Sequence, residues 1–271
     1  MVKVVVLGST GMLGNAVSKH FFEKENYETY TSYRSDELRW NERSFFFDAL
    51  SPNFAAIPEC DYIVNCIGII KPFMSEDLTA SIVINSLFPR VLSSWGQHMD
   101  AKVIHITTDC VFSGREGCYN EKSLHDCADA YGKTKSLGEP TDCMVLRTSI
   151  IGEEIHKKAS LIEWAKSMKG KKIQGFTNHL WNGMTTTQYA EVCSQIIDKN
   201  LYTQGLFHLF SDTVNKYELV SYISESLQLD LQIESHETTT ACDRTLSTND
   251  DSLMKQLDIR SLHEQINLLR K

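Results

Sequence analysis

A phenol and an ammonium stand four residues apart at Tyr131 and Lys135, inside the stretch TTDCVFSGREGCYNEKSLHDCADAYGKTKSLGE that runs from Thr107 to Glu139. On a helix that spacing puts both side chains on one face. A cation beside a phenol favours the phenolate, so the pair predicts a Tyr131 pKa below the usual ~10 and a tyrosine able to donate its proton near neutrality. The stretch is entered from an apolar run, KVIHI, that ends in two hydroxyls, an acid and a thiol. Thr108 closes that run and is placed to meet the pair across a cleft, with its hydroxyl polarising a carbonyl. Delivery of a proton to a carbonyl oxygen is the chemistry these three residues suggest. Cys110 lies two residues beyond Thr108, and in a continuing strand both would face the same side. A thiol there could remove a proton next to the carbonyl, with His156 or His179 as the partner acid.

A Y-x-x-x-K spacing alone is common on solvated helix faces, and the weight here comes from a nucleotide turn upstream. LGSTGMLG places Gly8, Gly11 and Gly14 where a first strand turns into a helix. Such glycines allow a tight turn, close approach of backbone N–H groups to a pyrophosphate, and close packing of helix on strand. Gly8, Thr10, Gly11, Met12, Leu13 and Gly14 are therefore candidate cofactor residues. About 20 residues on, where an acid would grip the ribose of NAD, the next strand ends TSYRS and offers Arg34. A guanidinium there fits a 2'-phosphate, so NADPH is the expected cofactor, with NADH as the alternative. Asp48, after FFF, is a candidate cap for the adenine amine. A third strand, DYIVNCIGIIKP, ends in Asn65, Gly68 and Lys71, where ligands sit in parallel sheets. Asn85 follows on a helix and reads as solvent-facing.

The elements that must hold these residues alternate along the chain. Strand-like runs VKVVVLG, ETYTSYR, DYIVNCIG, KVIHITT, CMVLRTSIIG and GLFHLFS are separated by helical patterns near 12–24, 78–98, 130 onward, 160–169 and 188–199. That order predicts an α/β fold with a doubly wound parallel Rossmann sheet. The expected dinucleotide-binding domain covers 1–151 and is completed by about 185–211. Residues 152–184 and 212–271 form an expected smaller substrate-binding subdomain, with helices near 216–227 and at the end of the chain and a polar tract at 236–240. The chain has 271 residues and a formal charge of -8. It offers no basic field for tracking a nucleic-acid backbone, so nucleic acid is not an expected partner. Eight cysteines without a CxxC pair read as reduced thiols. Glu59 and Asp61 interrupt the best apolar stretch, which argues against a membrane span and for a cytoplasmic protein.

With these pieces together the chain resembles the extended short-chain dehydrogenase/reductases, and among them the dTDP-4-dehydrorhamnose reductase group. The resemblance spans nearly the whole length through GSTGMLG, TTDCVFSG, YGKTKSLGE, VLRTSIIGEE, NHLWNGMTT and GLFHLF. It implies Thr108, Tyr131 and Lys135 as a catalytic triad, with Lys135 also holding the nicotinamide ribose. It further implies substrate contacts at Lys71, Cys110, Trp181 and Arg244, the last toward a diphosphate. Three features depart from the group's pattern. Cys110 stands where a tyrosine is usual, NGMT (Asn182 to Thr185) replaces GAPT, and CDRTLST replaces a C-terminal R-P-x-N-S signature. The activity implied is NAD(P)H-dependent reduction of a nucleotide-linked 4-keto-6-deoxysugar in deoxysugar biosynthesis. Two alternatives stand beside it: an epimerase/reductase of the GDP-fucose synthase type using Cys110, and a non-catalytic cofactor-binding subunit like the β subunit of methionine adenosyltransferase. The expected partners are a nucleotide-diphosphate sugar and, left open by the sequence, a second copy of the chain.

Overall fold

The structure is a computed structural model, and it describes residues 1–156 and 158–270. Its first part runs β1 (Val2–Leu7), α1 (Met12–Phe22), β2 (Tyr27–Tyr33), β3 (Ser44–Phe46), β4 (Tyr62–Asn65), α2 (Leu78–Ile82), α3 (Phe88–His98), β5 (Lys102–Thr108), α4 (Ala130–Leu137) and β6 (Met144–Thr148). Then come β7 (Ile150–Ile151), α5 (Leu161–Ser167), β8 (Lys172–Phe176), β9 (His179–Trp181), β10 (Met184–Thr185), α6 (Thr186–Asp198) and β11 (Gly205–His208). The last elements are β12 (Val214–Asn215), α7 (Lys216–Leu227), β13 (Gln232–His236), β14 (Cys242–Asp243) and α8 (Leu262–Asn267).

Seven strands form one sheet in the order β11-β6-β5-β4-β1-β2-β3, with every neighbouring pair parallel. The continuous apolar run of β1 is explained by burial on both faces. Val4 and Val6 pack with Val17 and Phe21 of α1 and Val192 and Ile196 of α6. Val5 and Leu7 point the other way, toward Phe88 and Leu92 of α3. Alternate side chains of one strand thus anchor helices on opposite faces. This is the doubly wound sheet expected from the sequence. A third core joins Trp181 to Ile162 of α5, Leu219 and Ile223 of α7, and Ile266 of α8. Beside it lie the small sheets β12-β9-β14 and β13-β8.

The structure departs from the sequence reading at several joints. The helix expected over 78–98 is interrupted by a π turn at Val83–Leu87. Pro89 supplies the cause, since it has no N–H to give the Asn85 carbonyl four residues back and its ring crowds that carbonyl. The expected strand CMVLRTSIIG divides at Ser149 into β6 and β7. β3 is an additional edge strand, held to β2 through Thr31, Ser32 and Tyr33. The final helix is shorter than expected, ending at Asn267 before a 3-10 turn at Leu268–Arg270, and Lys271 lies outside the described residues. No helix among the described residues is long and apolar enough to cross a membrane.

Candidate active site

In this sheet order β1 is flanked by β4 on one side and β2 on the other, so the chain reverses direction of travel across the sheet at β1. A crevice opens at such a switch point, outside the carboxyl ends of the strands. The glycine turn sits there. Gly8 has φ of +80°, a conformation side chains rarely adopt. A Cβ on Gly14 would fall 2.1 Å from the Gly8 carbonyl oxygen, so only glycine lets α1 start this close to β1. α1 begins at Gly11 with no side-chain cap and no acid in its first turn, which leaves backbone N–H groups and a positive dipole end for an anion. Gly11 is exposed and Thr10 and Met12 are half-buried, whereas the Leu13 side chain is core. The residues present therefore fit a dinucleotide pyrophosphate. Ser32 at the end of β2 is buried and accepts a hydrogen bond from the Gly8 N–H at 2.8 Å, while the Ser9 hydroxyl donates to the Ser32 carbonyl at 2.7 Å. Arg34 follows, exposed, with no hydrogen bond or ion pair among the described residues. Asp48, half-buried after β3, accepts from the Leu50 N–H at 3.1 Å through one oxygen.

Asn65 needs a correction. It is fully buried, its amide nitrogen is 3.0 Å from His105 Nδ1, and its oxygen accepts from Ile67 N–H at 3.1 Å. Its side chain braces the loop after β4 and cannot touch a cofactor. Gly68 in that loop is exposed, and a Cβ there would lie 3.9 Å from Lys135 Nζ. Asn85, read as solvent-facing, is also fully buried. From the π turn it accepts from Ile69 N–H at 2.8 Å, donates to the Ile69 carbonyl at 2.9 Å and reaches Thr134 of α4 at 3.3 Å. It fastens the β4 loop to the helix that carries Tyr131.

Asp129 starts α4 by accepting from Gly132 N–H at 2.8 Å, and its other oxygen takes an ion pair from Lys71 at 2.8 Å. Lys71 thereby ties the β4 loop to the first turn of α4. Tyr131 lies in that turn. Its phenol is held above the usual tyrosine range, first by burial and then by Cys110, Asp109 and Asp129, with the Thr108 hydroxyl beside it acting in the opposite sense. The sequence reading expected a lowered value, and burial among acidic neighbours reverses it. Lys135 does not offset this, because its ammonium donates to the Ile106 carbonyl at 3.1 Å and is itself pushed down to about 8 by burial. Thr108, nearly buried, donates to Asp109 Oδ1 at 3.0 Å and accepts from Cys110 N–H at 3.1 Å. The strand stops at Thr108, since Asp109–Val111 is a 3-10 turn. Cys110 is therefore not on a continuing strand, although its thiol remains close enough to act on Tyr131; burial, then Asp109, pushes that thiol up to about 12.

The C-terminal segment brings two cations to this point. Arg244 donates to the Phe112 and Ser113 carbonyls at 3.0 and 3.3 Å and, with Lys216, draws the buried Asp109 carboxyl down against the stronger upward effect of burial. Lys216, the first residue of α7, was not singled out by sequence reasoning. Its ammonium lies 5.1 Å from the Trp181 ring centroid, and burial lowers its pKa. Trp181 itself is 4% exposed, a core residue that reaches the cleft through Lys216 and presents no open face to a substrate. His179 is spent on Thr238 at 2.9 Å, and His156 is exposed in the loop before α5.

Behind α4 lies a second charged group, also unforeseen. Arg147 of β6 is fully buried and grips Glu139 with a fork, Nε to Oε1 at 3.1 Å and Nη2 to Oε2 at 2.6 Å. Thr107 donates to the same carboxylate at 2.9 Å. Two more guanidinium donors meet His208 at 2.8 Å and His125 at 2.7 Å. Both rings must accept from arginine through Nε2, so each carries its proton on Nδ1, facing the Ser247 carbonyl and the Ser136 hydroxyl respectively.

One known family model, the RmlD substrate binding domain, matches the chain over residues 2–266. The chain belongs to that family. This bears out the resemblance carried by the sequence motifs. Among relatives, the methionine adenosyltransferase 2 subunit beta of Pongo abelii is 26% identical over 246 residues, covering 84% of this chain and 72% of that protein. The fold is shared with dTDP-4-dehydrorhamnose reductase from Bacillus anthracis str. Ames in complex with NADP, at a TM-score of 0.77 and 18% identity over 99% of this chain and 98% of that one. It is also shared with UDP-glucuronic acid 4-epimerase from Bacillus cereus in complex with NAD, at 0.76 and 14% over 98% and 94%. Thr108, Tyr131, Cys110, Asp129, Arg244 and Lys216 converge here, with Lys71 paired to Asp129.

Proposed function

We propose that this RmlD-family protein is a reductase that uses a nicotinamide cofactor, NADPH in preference to NADH, to reduce a nucleotide-linked 4-keto-6-deoxysugar. One observation carries the reading: Tyr131 lies beside the Thr108 hydroxyl at the carboxyl end of β5, and Lys135 on the same helix sets its Nζ on the Ile106 carbonyl and beside Gly68. The glycine turn and the first N–H groups of α1 would hold the pyrophosphate, Arg34 the 2'-phosphate, Asp48 the adenine side, and Gly68 and Lys135 the nicotinamide end. When bound, the cofactor supplies the hydride. Tyr131 gives its proton to the carbonyl oxygen. Its raised pKa keeps that proton in place at neutral pH. Thr108 would turn its hydroxyl proton from Asp109 to the same oxygen. Residues 152–184 and 212–271 close the sugar-nucleotide side, with Lys71, Lys216 and Arg244 as cations toward its diphosphate.

Simple reduction is favoured over epimerisation, because a buried thiol pushed up to about 12 stays protonated and is a poor base. The test is consumption of NADPH absorbance with a panel of dTDP-, GDP-, UDP- and CDP-linked 4-keto sugars. Tyr131→Phe should lose roughly a hundredfold to ten-thousandfold of turnover and keep cofactor affinity. Full activity in that variant would end the reading. Cofactor binding without turnover on any sugar would instead favour a non-catalytic subunit, the reading that the similarity to a protein named as a subunit supports.

A further inference from the structure

The charged hub behind α4 takes no part in the proton and hydride steps, yet it is anchored to the same strand as the catalytic lysine. Consecutive residues of β5 serve both: the Ile106 carbonyl receives Lys135, and the Thr107 hydroxyl donates to Glu139. We propose that Glu139, clamped by the Arg147 fork, is a positioning residue for Lys135, pinning the end of α4 to β5 and β6 and supplying the counter-charge that keeps the buried ammonium charged.

The groups that face Lys135 leave this role to one residue. From β5 comes His105, buried, with its pKa held well below the usual range by burial. From the β4 loop comes Gly68, which has no charge to offer. Tyr131 on its own helix is held in the neutral form. Glu139, four residues along, is the group that draws Lys135 upward against burial. Its carboxylate cannot swing away, because Arg147 Nε, Arg147 Nη2 and Thr107 Oγ1 hold both oxygens. Arg147 is locked in turn by His125 and His208, so the carboxylate sits in a fixed socket, oriented by partners on β5, β6, β11 and the loop before α4. The other charges facing Glu139 are that guanidinium and His125, 3.7 Å away and itself held neutral by burial.

The kinetic half of the test rests on the reductase reading, so a titration independent of turnover accompanies it. Glu139→Gln alone strands a buried guanidinium and risks misfolding, whereas Glu139→Gln with Arg147→Met removes both charges. In protein carrying 13Cε-labelled lysine, with the Lys135 signal assigned through Lys135→Met, the paired variant should titrate Lys135 about one pH unit lower than wild type. Glu139→Asp keeps the charge and should restore most of that shift. The alkaline limb of the kcat/KM profile should move with the titration, costing about tenfold in activity above it. An unmoved Lys135 titration in a folded paired variant, or a shift in Glu139→Asp as large as in the paired variant, overturns the proposal. A wild type that turns over no keto sugar while the titration shifts as stated removes the reductase reading and leaves the Glu139 role standing.

Discussion

Two buried clusters of charge lie on opposite sides of the strand end that carries Thr108, and they are built differently. In the hub, Arg147 and Glu139 form a bidentate pair, two neutral imidazoles accept two more donors, and a threonine completes the carboxylate. In the cleft, Asp109, Arg244 and Lys216 influence one another without a direct ion pair between them among the described residues, and Lys216 makes no hydrogen bond there. The hub has its hydrogen-bonding capacity nearly saturated inside the fold, as buried polar groups in native proteins normally are. The cleft keeps cationic capacity in reserve. Saturation, more than burial, thus separates charges that hold the fold from charges that can meet an anionic ligand.

The sharpest way to break this contrast is to remove one partner from the hub. Arg147→Met should cost about 3–5 kcal/mol, because the buried Glu139 carboxylate loses both forked hydrogen bonds and the charge it is paired with. Urea unfolding of the variant measures it. A loss below about 1 kcal/mol would mean that the hub is no more structural than a surface ion pair.

Acid offers a second, slightly smaller probe of the hub. His208 is pushed down to about 4, chiefly by burial and then by Arg147, and His125 is lowered for the same reasons. A histidine whose folded pKa lies below its unfolded ~6.5 makes the unfolded state bind more protons at acid pH. Stability should therefore be full above ~6.5, fall as the pH drops toward about 4, and level off below it. His208 alone contributes about 3 kcal/mol at most over that window, from 1.36 kcal/mol per unit. Melting temperature against pH, compared between wild type and His208→Gln, should show a shallower acid slope in the variant; parallel slopes would refute the assignment.

How much of this was legible beforehand follows from where the information resides. The large sheet could be read because β-branched runs and helical patterns alternate locally, and Tyr131, Lys135 and the glycine turn could be read because their spacing lies within one element. Arg147 could not, since in VLRTS it is a single arginine within an apolar strand and its three partners come from 125, 139 and 208. Lys216 looked like the first residue of an ordinary helix, and only the fold sets it over Trp181. Asn65 and Asn85 were visible as polar residues near strand ends, but which way an amide faces depends on the partners that the fold supplies. The Tyr131 pKa direction was misread because a spacing of four tells of proximity and says nothing of desolvation.

On the cleft side the corresponding substitution should leave the fold alone and touch binding. Lys216→Met keeps the aliphatic packing over Trp181 and removes an ammonium already disfavoured by burial, so stability should change by less than about 1 kcal/mol. The KM for a nucleotide sugar should rise about tenfold, the loss of one charge-assisted contact, with kcat nearly unchanged. Large destabilisation with unaltered KM would place Lys216 with the hub and erase the distinction drawn above.

The smallest effect is expected where a cation is neither buried nor bonded. Arg34 stands exposed just beyond the end of β2, one strand away from the glycine turn and level with the loop that follows β3. Being solvated, it costs nothing to keep and contributes nothing to the core, so Arg34→Ala should unfold with wild type within about 0.5 kcal/mol. Its one distinctive capacity is a forked pair of donors at the position where the proposed function would put a 2'-phosphate, and an exposed contact of that kind changes affinity by roughly tenfold. Isothermal titration of wild type and variant with NADPH and NADH should show NADPH weakened about tenfold in the variant and NADH unchanged. Because the contact is screened, the preference of the wild type should also shrink as salt rises from 0.05 to about 0.5 M. Equal affinities of the wild type for the two cofactors at low salt would show that an unpaired exposed cation does not select the phosphate, and that reserve capacity matters only where burial strengthens it.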